Sequence, residues 1–345
     1  MDQLMKTGMA LCDLDGCSGY EDGVRLEIRK MVEPYAETVL EDNIGNLLVF
    51  VKGRESRPAP VLLCAHTDEV GAIVFRVSQE GLLYIKQIGY MDPRIFLGKR
   101  VHVGENGILG VVGAKAIQLC SSVEKNRAPG MTEIYVDIGA TSKADALRYV
   151  QIGDQVAFAG ESTCFGNQRF MAKAIDDRLL CAVLVELLKK PLPYDTWFAF
   201  THGEEDGLRG ASAMTERIKP KYAMVLEGTT AADFPGVEPH LCSTRQTAGA
   251  VVSLVDRGTF YNEKVIQKMT TAANQKGILW QYRTTINGRT DSGGISVRNG
   301  GTTTFGVSIP TRYGHSQVSH VYWPDVEQVA AMAELFVEQT GVWSE

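Results

Sequence analysis

Long apolar runs are missing from this sequence. No stretch reaches about 18 consecutive apolar residues, so no segment reads as a membrane-spanning helix. Beyond Lys6, the run GMALC is broken by Asp13 and Asp15 before it attains the length of a secretory leader. A basic surplus is missing too. Against 35 Lys and Arg stand 41 Asp and Glu, a net charge of −6, which leaves no electrostatic footprint for nucleic acid or for an anionic membrane. The seven cysteines (Cys12, Cys17, Cys64, Cys120, Cys164, Cys181, Cys242) are odd in number and lack CxxC spacing. That argues against a disulfide framework or a structural zinc site and fits a reducing cytoplasm. There is no internal repeat and no low-complexity tract. What remains is an ordinary globular composition over 345 residues, enough for one large domain or two of common size.

Residues 21–40 place Val24, Leu26, Ile28, Met31 and Val32 among charges at near-helical spacing, interrupted by Pro34, which predicts an amphipathic helix. The runs 46–51, 61–65, 196–200, 223–226 and 303–309 are short and continuously apolar, as expected of strands buried on both faces. The run 178–190 (RLLCAVLVELLKK) is apolar around most of its circumference and predicts a deeply packed helix. Strands alternating with helices predict an α/β fold with a mostly parallel or mixed central sheet and helices on both faces. From about 71 to 161 the pattern changes to short alternating runs (LLYIKQI, RVHVG, EIYVDIG, DQVAFAG) punctuated by glycine, with a turn or two of helix at 142–150. This predicts a small inserted β-barrel, PDZ-like or SH3-like, over 71–161, with 1–70 and 162–345 forming the α/β domain.

Five segments carry potential metal ligands, most of them just past a predicted buried strand, where α/β enzymes build their sites. His66 and Asp68 follow VLLCA, and Asp176 and Asp177 precede the apolar helix. Glu204 and Glu205 follow TWFAF, Glu227 ends MVLE, and His315 lies in IPTRYGHS after the last strand. Each has an ordinary reading alone: a strand-end histidine, a helix N-cap pair, a loop carboxylate, a solvated acidic turn. All of these would have to hold at one edge of one sheet, which weakens the ordinary reading of the set. Imidazole mixed with carboxylate suits zinc, cobalt or manganese rather than a thiolate-preferring ion. Two histidines and three acids exceed the three protein ligands of one catalytic zinc, whereas two ions about 3.5–4 Å apart that share a carboxylate use all five.

The ordered segments HTDEVG, AIDDR, GEEDGLRG, GRTDSGG and IPTRYGHS, with SGYEDGVR and NIGNLLV before them, resemble the glutamyl or tetrahedral (TET) aminopeptidases. These are cocatalytic dimetal peptidases, some of which carry a cellulase or endoglucanase label. The resemblance covers nearly the whole chain. It implies a phosphorylase/hydrolase-like catalytic domain interrupted by a β-rich oligomerisation domain, hence a homo-oligomer, often a tetrahedral dodecamer, acting on peptides with a free N-terminus. It also implies two divalent metal ions, zinc or cobalt ahead of manganese. His66, Asp176 and Glu227 would hold one, and Asp176, Glu205 and His315 the other. Asp68 would take the ring N–H of His66, and Glu204 would be the general base. Three positions depart from the usual pattern: Glu227 where aspartate is common, Arg289 where glycine is common, and Asp206 where an apolar residue is common.

Rival functions are weighed by what they require. A glycosidase needs two carboxyl groups about 5–9.5 Å apart and no histidine pair. A carboxypeptidase or N-acyl amino acid deacylase uses the same dimetal centre but recognises a carboxylate or an acyl group. A noncatalytic assembly protein has no use for a full ligand set. An acidic substrate preference requires a basic pocket, for which Arg257, Arg289 and Arg312 are the candidates. His102, His202, His240 and His320 read as surface or core histidines, and Asp291 as a positioning group without a catalytic role.

Overall fold

The described residues build an 8-stranded central sheet with a hydrophobic core on each face, a 3-stranded sheet, and a closed barrel with a core of its own. The computed structural model describes residues 2–57 and 59–343. Its strands are β1 (Thr38–Glu41), β2 (Leu47–Val51), β3 (Val61–His66), β4 (Gly71–Val77), β5 (Leu83–Ile88), β6 (Arg100–Val103), β7 (Ile108–Ala114), β8 (Ile134–Asp137), β9 (Gln155–Phe158), β10 (Thr163–Phe165), β11 (Arg169–Ala172), β12 (Thr196–Thr201), β13 (Tyr222–Thr230), β14 (Ala250–Val252), β15 (Trp280–Tyr282), β16 (Thr303–Thr311) and β17 (Ser319–Tyr322).

The central sheet is mixed, in the order β1-β2-β12-β3-β13-β16-β14-β15. Its middle strands β12, β3, β13 and β16 run parallel. Because successive residues of a strand face opposite ways, these strands feed two cores. Leu63, Phe198, Met224 and Phe305 pack with the helices Gln3–Cys12, Asp22–Val32, Leu180–Leu188, Glu263–Lys276 and Trp323–Val342. Leu62, Cys64, Ala199 and Val225 pack on the other face with the helices Arg209–Ile218 and Asp291–Ser296. The helix Leu180–Leu188 is buried at every position but Glu186, as its all-round apolar pattern demands.

Strands β4, β5, β8, β7, β6 and β9 close into a barrel, filled by residues such as Val74, Ile85, Phe96, Val101, Val112, Val136 and Phe158. Closure removes the unpaired edges that short strands otherwise expose. The helical turn expected near 142–150 is Lys143–Ala146.

The structure departs from the sequence reading at element ends and edges. The helix expected over 21–40 stops at Val32; Pro34, which has no N–H to donate, sits in a 3-10 turn, and Thr38 and Val39 pair instead with Phe50 and Val49. The helix expected from 178 begins at Leu180, behind a π-type turn over Ile175–Leu179. Short strands β1, β10, β11, β14, β15 and β17 and the helices Gln3–Cys12, Arg209–Ile218, Glu263–Lys276, Asp291–Ser296 and Trp323–Val342 are among the additional elements. Among the described residues no helix is long and apolar enough to cross a membrane.

The segment between the first two helices ties barrel to sheet. Arg178, fully buried, donates from Nη1 to the carbonyls of Leu11 and Leu14, from Nη2 to that of Gly16, and from Nε to that of Thr67. Lys173 Nζ lies 2.6 Å from Asp15 Oδ1 and 2.8 Å from Glu69 Oε1. Asp15 Oδ2 in turn is 2.8 Å from Nδ1 of His102, on barrel strand β6.

Candidate metal centre

Strand register and strand parity bring the first two donors together. His66 ends β3, and β13 lies parallel to it with Val225 opposite Cys64. Two residues on, Glu227 reaches the level of His66, and the period of two points both side chains to the same side as Cys64 and Val225. Their tips meet, with Glu227 Oε2 3.5 Å from His66 Nε2. The irregular turn before the apolar helix delivers Asp176, whose Oδ1 is 3.3 Å from the same nitrogen. Its Oδ2 is 3.7 Å from Nε2 of His315, and Glu205 Oε1 is 3.0 Å from that nitrogen. Asp176 therefore faces both histidines. Gly228 makes the approach possible: its N–H donates to Asp176 Oδ1 at 3.1 Å, and a Cβ there would lie 2.6 Å from the Asp176 Cγ.

Both imidazoles are oriented by acceptors behind them. His66 Nδ1 is 3.1 Å from the Asp68 carbonyl oxygen and 3.2 Å from Asp68 Oδ1. His315 Nδ1 is 2.6 Å from the Tyr90 carbonyl oxygen. Carbonyl oxygens only accept, so each Nδ1 carries a proton and Nε2 is the nitrogen left to face the carboxylates, able to give its lone pair to a cation held there. His315 has φ 57° and Tyr313 φ 58°, a left-handed loop pinned by the Ser316 and Ser319 hydroxyls, which both donate to the Tyr313 carbonyl.

Asp68 also organises the acidic turn after β12. Its Oδ1 accepts the N–H of Glu204 and its Oδ2 that of Glu205, each at 3.0 Å, while the Ser18 hydroxyl donates to Oδ2 at 2.6 Å. Thus one carboxylate fixes both the His66 ring and the turn that aims the two glutamates. The Glu204 carboxylate comes within 4.8 Å of donor atoms on His66 and Glu205. Asp177 also approaches His66 and Glu227, but its Oδ2 accepts the His66 backbone N–H at 3.0 Å.

The electrostatics are those of crowded negative charge. Burial drives Glu204 well above the usual carboxylate range, and Glu227, Glu205 and Asp291 add to the shift. Burial raises Glu227 to about 8 and Asp291 to about 6. For Asp176 burial works against the charge, but His315 and His66 outweigh it and hold the carboxylate low. Burial likewise opposes the imidazolium forms, yet the carboxylates raise both His66 and His315 well above the usual histidine value. Protonation alone balances this cluster in the bare protein, the behaviour of a site suited to cations. The spacing agrees: donors sharing one tetrahedral ion at about 2.0–2.2 Å stand roughly 3.3–3.6 Å apart, close to the separations around each imidazole.

All seven side chains expected at the site, His66, Asp68, Asp176, Glu204, Glu205, Glu227 and His315, lie in this one cluster. Sequence reasoning did not single out Ser18 or the Tyr90 carbonyl. Asp291, read from sequence as a positioning group, gives its backbone N–H to Glu227 Oε1 at 3.2 Å and takes the Thr201 hydroxyl on Oδ2 at 2.5 Å. Of the histidines set aside, His202 lies against Glu21 (Nδ1 to Oε1, 2.9 Å) rather than in the cluster. Arg312 is paired with Asp233, while Arg257 and Arg289 are exposed.

The family model for M42 glutamyl aminopeptidase matches residues 45–332. The chain belongs to this family. It is an enzyme, a hydrolase of peptide bonds among metallopeptidases. The crystal structure of a TET aminopeptidase from a marine sediment Thaumarchaeota archaeon superposes with a TM-score of 0.94 at 30% identity, covering 99% of this chain and 97% of that one. The Pyrococcus horikoshii TET1 peptidase, described as able to assemble into a tetrahedron or a large octahedral shell, gives a TM-score of 0.86 at 28% identity over 97% of this chain and 99% of its own. The lysyl aminopeptidase of Pyrococcus furiosus is 27% identical over 350 residues, 98% of this chain and 96% of that protein. The α/β fold with a closed barrel is thus the M42 architecture.

Proposed function

We propose that the chain is a dimetal aminopeptidase that releases the first residue of peptides, with Glu204 as general base. The observation that carries this reading is the sharing of Asp176 between two histidine-carboxylate groups with Glu204 beside them. His66, Asp176 and Glu227 suit one divalent ion and Asp176, Glu205 and His315 a second, zinc or cobalt ahead of manganese. When bound, such ions act as Lewis acids toward water and the scissile carbonyl. Glu204 accepts a proton from the attacking water and passes it to the departing amine nitrogen, a task its raised affinity for protons fits. Asp68 and the Tyr90 carbonyl keep the imidazole lone pairs aimed inward. The Glu204 and Glu227 carboxyl oxygens offer acceptors to a substrate's free ammonium, which separates this reading from a carboxypeptidase or deacylase.

Residues 71–161 fit a separate role as an assembly domain. Leu109, Val111, Ile117, Leu119 and Val123 of this region are exposed apolar side chains, suited to contact between copies, and assembly is described for the Pyrococcus horikoshii relative.

Glu204→Gln is the test. Turnover of aminoacyl anilides is expected to fall by about three orders of magnitude while metal content holds at wild-type level, and N-acetylated anilides should be inert to both proteins. Residual activity within about tenfold of wild type would remove Glu204 from this role.

A further inference from the structure

Glu21 is a buried carboxylate that no step of the proposed chemistry uses. It stands at the start of the helix Asp22–Val32 and is 1% exposed. Arg25, one turn along, is paired with Asp22 and Glu41 instead. A carboxylate in such a place is costly unless donors converge on it. Here they come from three separate segments. Oε1 accepts the N–H of Gly19 at 3.1 Å and that of Gly203 at 3.2 Å, and Oε2 lies 2.6 Å from the Thr67 hydroxyl. His202 Nδ1 is 2.9 Å from Oε1.

Two of these donors flank the site. Thr67 separates His66 from Asp68, and Gly203 immediately precedes Glu204. Three successive N–H groups of the acidic turn, at Gly203, Glu204 and Glu205, therefore each end on a carboxylate oxygen: Glu21 Oε1, Asp68 Oδ1 and Asp68 Oδ2. A run of N–H groups of this kind makes an anion-binding concavity, and two buried side chains fill it. The residue before the run is held separately, with the His202 N–H on Asn46 Oδ1 and its carbonyl accepting the Gly210 N–H. Gly203 itself has φ 62°, a left-handed conformation open to glycine. With no Cβ to restrict it, this residue depends on its hydrogen bond for its orientation, and Glu204 follows it directly.

We infer that Glu21 is a positioning residue for the general base: by holding the Gly203 N–H beside Thr67, it sets the aim of Glu204. This rests on the reading of Glu204 as base given above. Reach matters here more than charge. A glutamine at this position keeps its carbonyl oxygen on the Gly19 and Gly203 N–H groups and turns its NH2 to the Thr67 hydroxyl oxygen. The Thr67 proton then goes to the Thr201 carbonyl, 2.9 Å away. An aspartate keeps the charge and is a favourable residue at a helix start, but it is one methylene shorter, so its oxygens fall back from Gly203.

Glu21→Asp and Glu21→Gln test this in metal-loaded protein on a leucyl anilide, each made both alone and together with Glu204→Gln. Alone, Glu21→Asp is expected to lower kcat by about 30- to 100-fold, the scale of a group displaced by about 1 Å, with KM within about threefold and metal content at the wild-type level. Glu21→Gln should lose no more than about fivefold. Combined with Glu204→Gln, the aspartate substitution should cost less than about threefold, because no base is left to aim. A like loss with and without Glu204, or a loss that follows KM or metal content, would make Glu21 a general structural residue and overturn the inference. A glutamine variant as slow as the aspartate one would assign the effect to the charge beside His202 and overturn it too. Hydrogen exchange separates this inference from the reading it rests on. Peptides spanning 201–208 should exchange at least about tenfold faster in Glu21→Asp than in wild type, while those of the barrel stay unchanged. Were Glu204→Gln to keep wild-type turnover, the base reading would fall while this exchange difference would still support Glu21 as the residue that holds the turn; its absence would overturn that as well.

Discussion

The central sheet and the barrel are both built of short apolar strands, yet among the described residues only the α/β part carries carboxyls that burial pushes upward, beside others (Asp68, Asp176, Asp233) that histidine or arginine neighbours hold low. In the α/β part, burial pushes the carboxyls of Asp177, Glu204, Glu227, Asp291 and Asp325 upward. In the barrel region, Asp92 is lowered by Arg94, Glu124 by the Ser121 N–H and Lys115, and Glu133 by Arg127, all at the surface. Strained charge is concentrated where chemistry is done and relaxed where it is not. Among the described residues, the barrel reaches the site through the Tyr90 carbonyl on His315 and through Phe158, which lines the cavity beside Asp176 and His315. Every proposed donor side chain belongs to the α/β part, so the two regions divide reactivity from placement.

The sharpest way to break this division is Asp176→Ala. With the shared donor gone, bound metal should drop from two ions to fewer than one per chain, and turnover should fall by at least about 10⁴. The barrel should stay folded by near-UV circular dichroism. Retention of two ions would show that Asp176 is not shared. Next in size is Lys173→Met, aimed at the joint between the regions. It leaves the nearly buried Glu69 carboxylate and its partner Asp15 without their ammonium, a loss of about 3–5 kcal/mol for breaking a buried pair from one side. Denaturation should then resolve into two transitions, the barrel separating from the sheet. A single, merely shifted transition would mean that the two regions are coupled elsewhere.

The same contrast explains what could be read from sequence. The strands that carry donors are continuous apolar runs because both faces are buried, and ligand-type side chains just beyond such runs are conspicuous; His66, Glu204, Glu205, Glu227 and His315 were legible for that reason. Glycine-punctuated alternation likewise marked the barrel. The Tyr90 carbonyl left no trace, because every residue offers a carbonyl and only the folded path of 89–92 brings this one to His315. Ser18 is an ordinary serine until Arg178 anchors the preceding segment and presents the hydroxyl to Asp68. Short strands such as β14 and β15, three residues each, carry too little pattern to separate from loops.

The smallest effect expected concerns pH, and it sharpens the contrast away from the metal cluster. Asp325 accepts the N–H groups of Thr247 and Gly249, yet burial still pushes its pKa up to about 6, against about 3.9 in an unfolded chain. Between these values the folded protein binds more protons than the unfolded one, so the contribution of Asp325 is full below about pH 4 and is lost as pH rises through about 6. Asp325 is buried, and the two-unit difference amounts to about 2–3 kcal/mol. Glu227 and Asp291 push the metal-free protein in the same direction. So do the two histidines, whose raised affinity for protons adds stability that fades with rising pH. The lowered carboxyls of the barrel have the reverse sense: their contribution is present above the ordinary carboxylate range and is lost only as acid protonates them. Metal-free protein in chelator should therefore become less stable from pH 5 to pH 8. Asp325→Asn keeps one acceptor and loses the titration, so it should start about 1 kcal/mol less stable in acid, for the missing hydrogen bond, and overtake wild type by about pH 8. Denaturant curves that stay parallel for the two proteins across this range would show that Asp325 titrates normally in the fold, and that buried acid strain in the sheet is confined to the donor cluster.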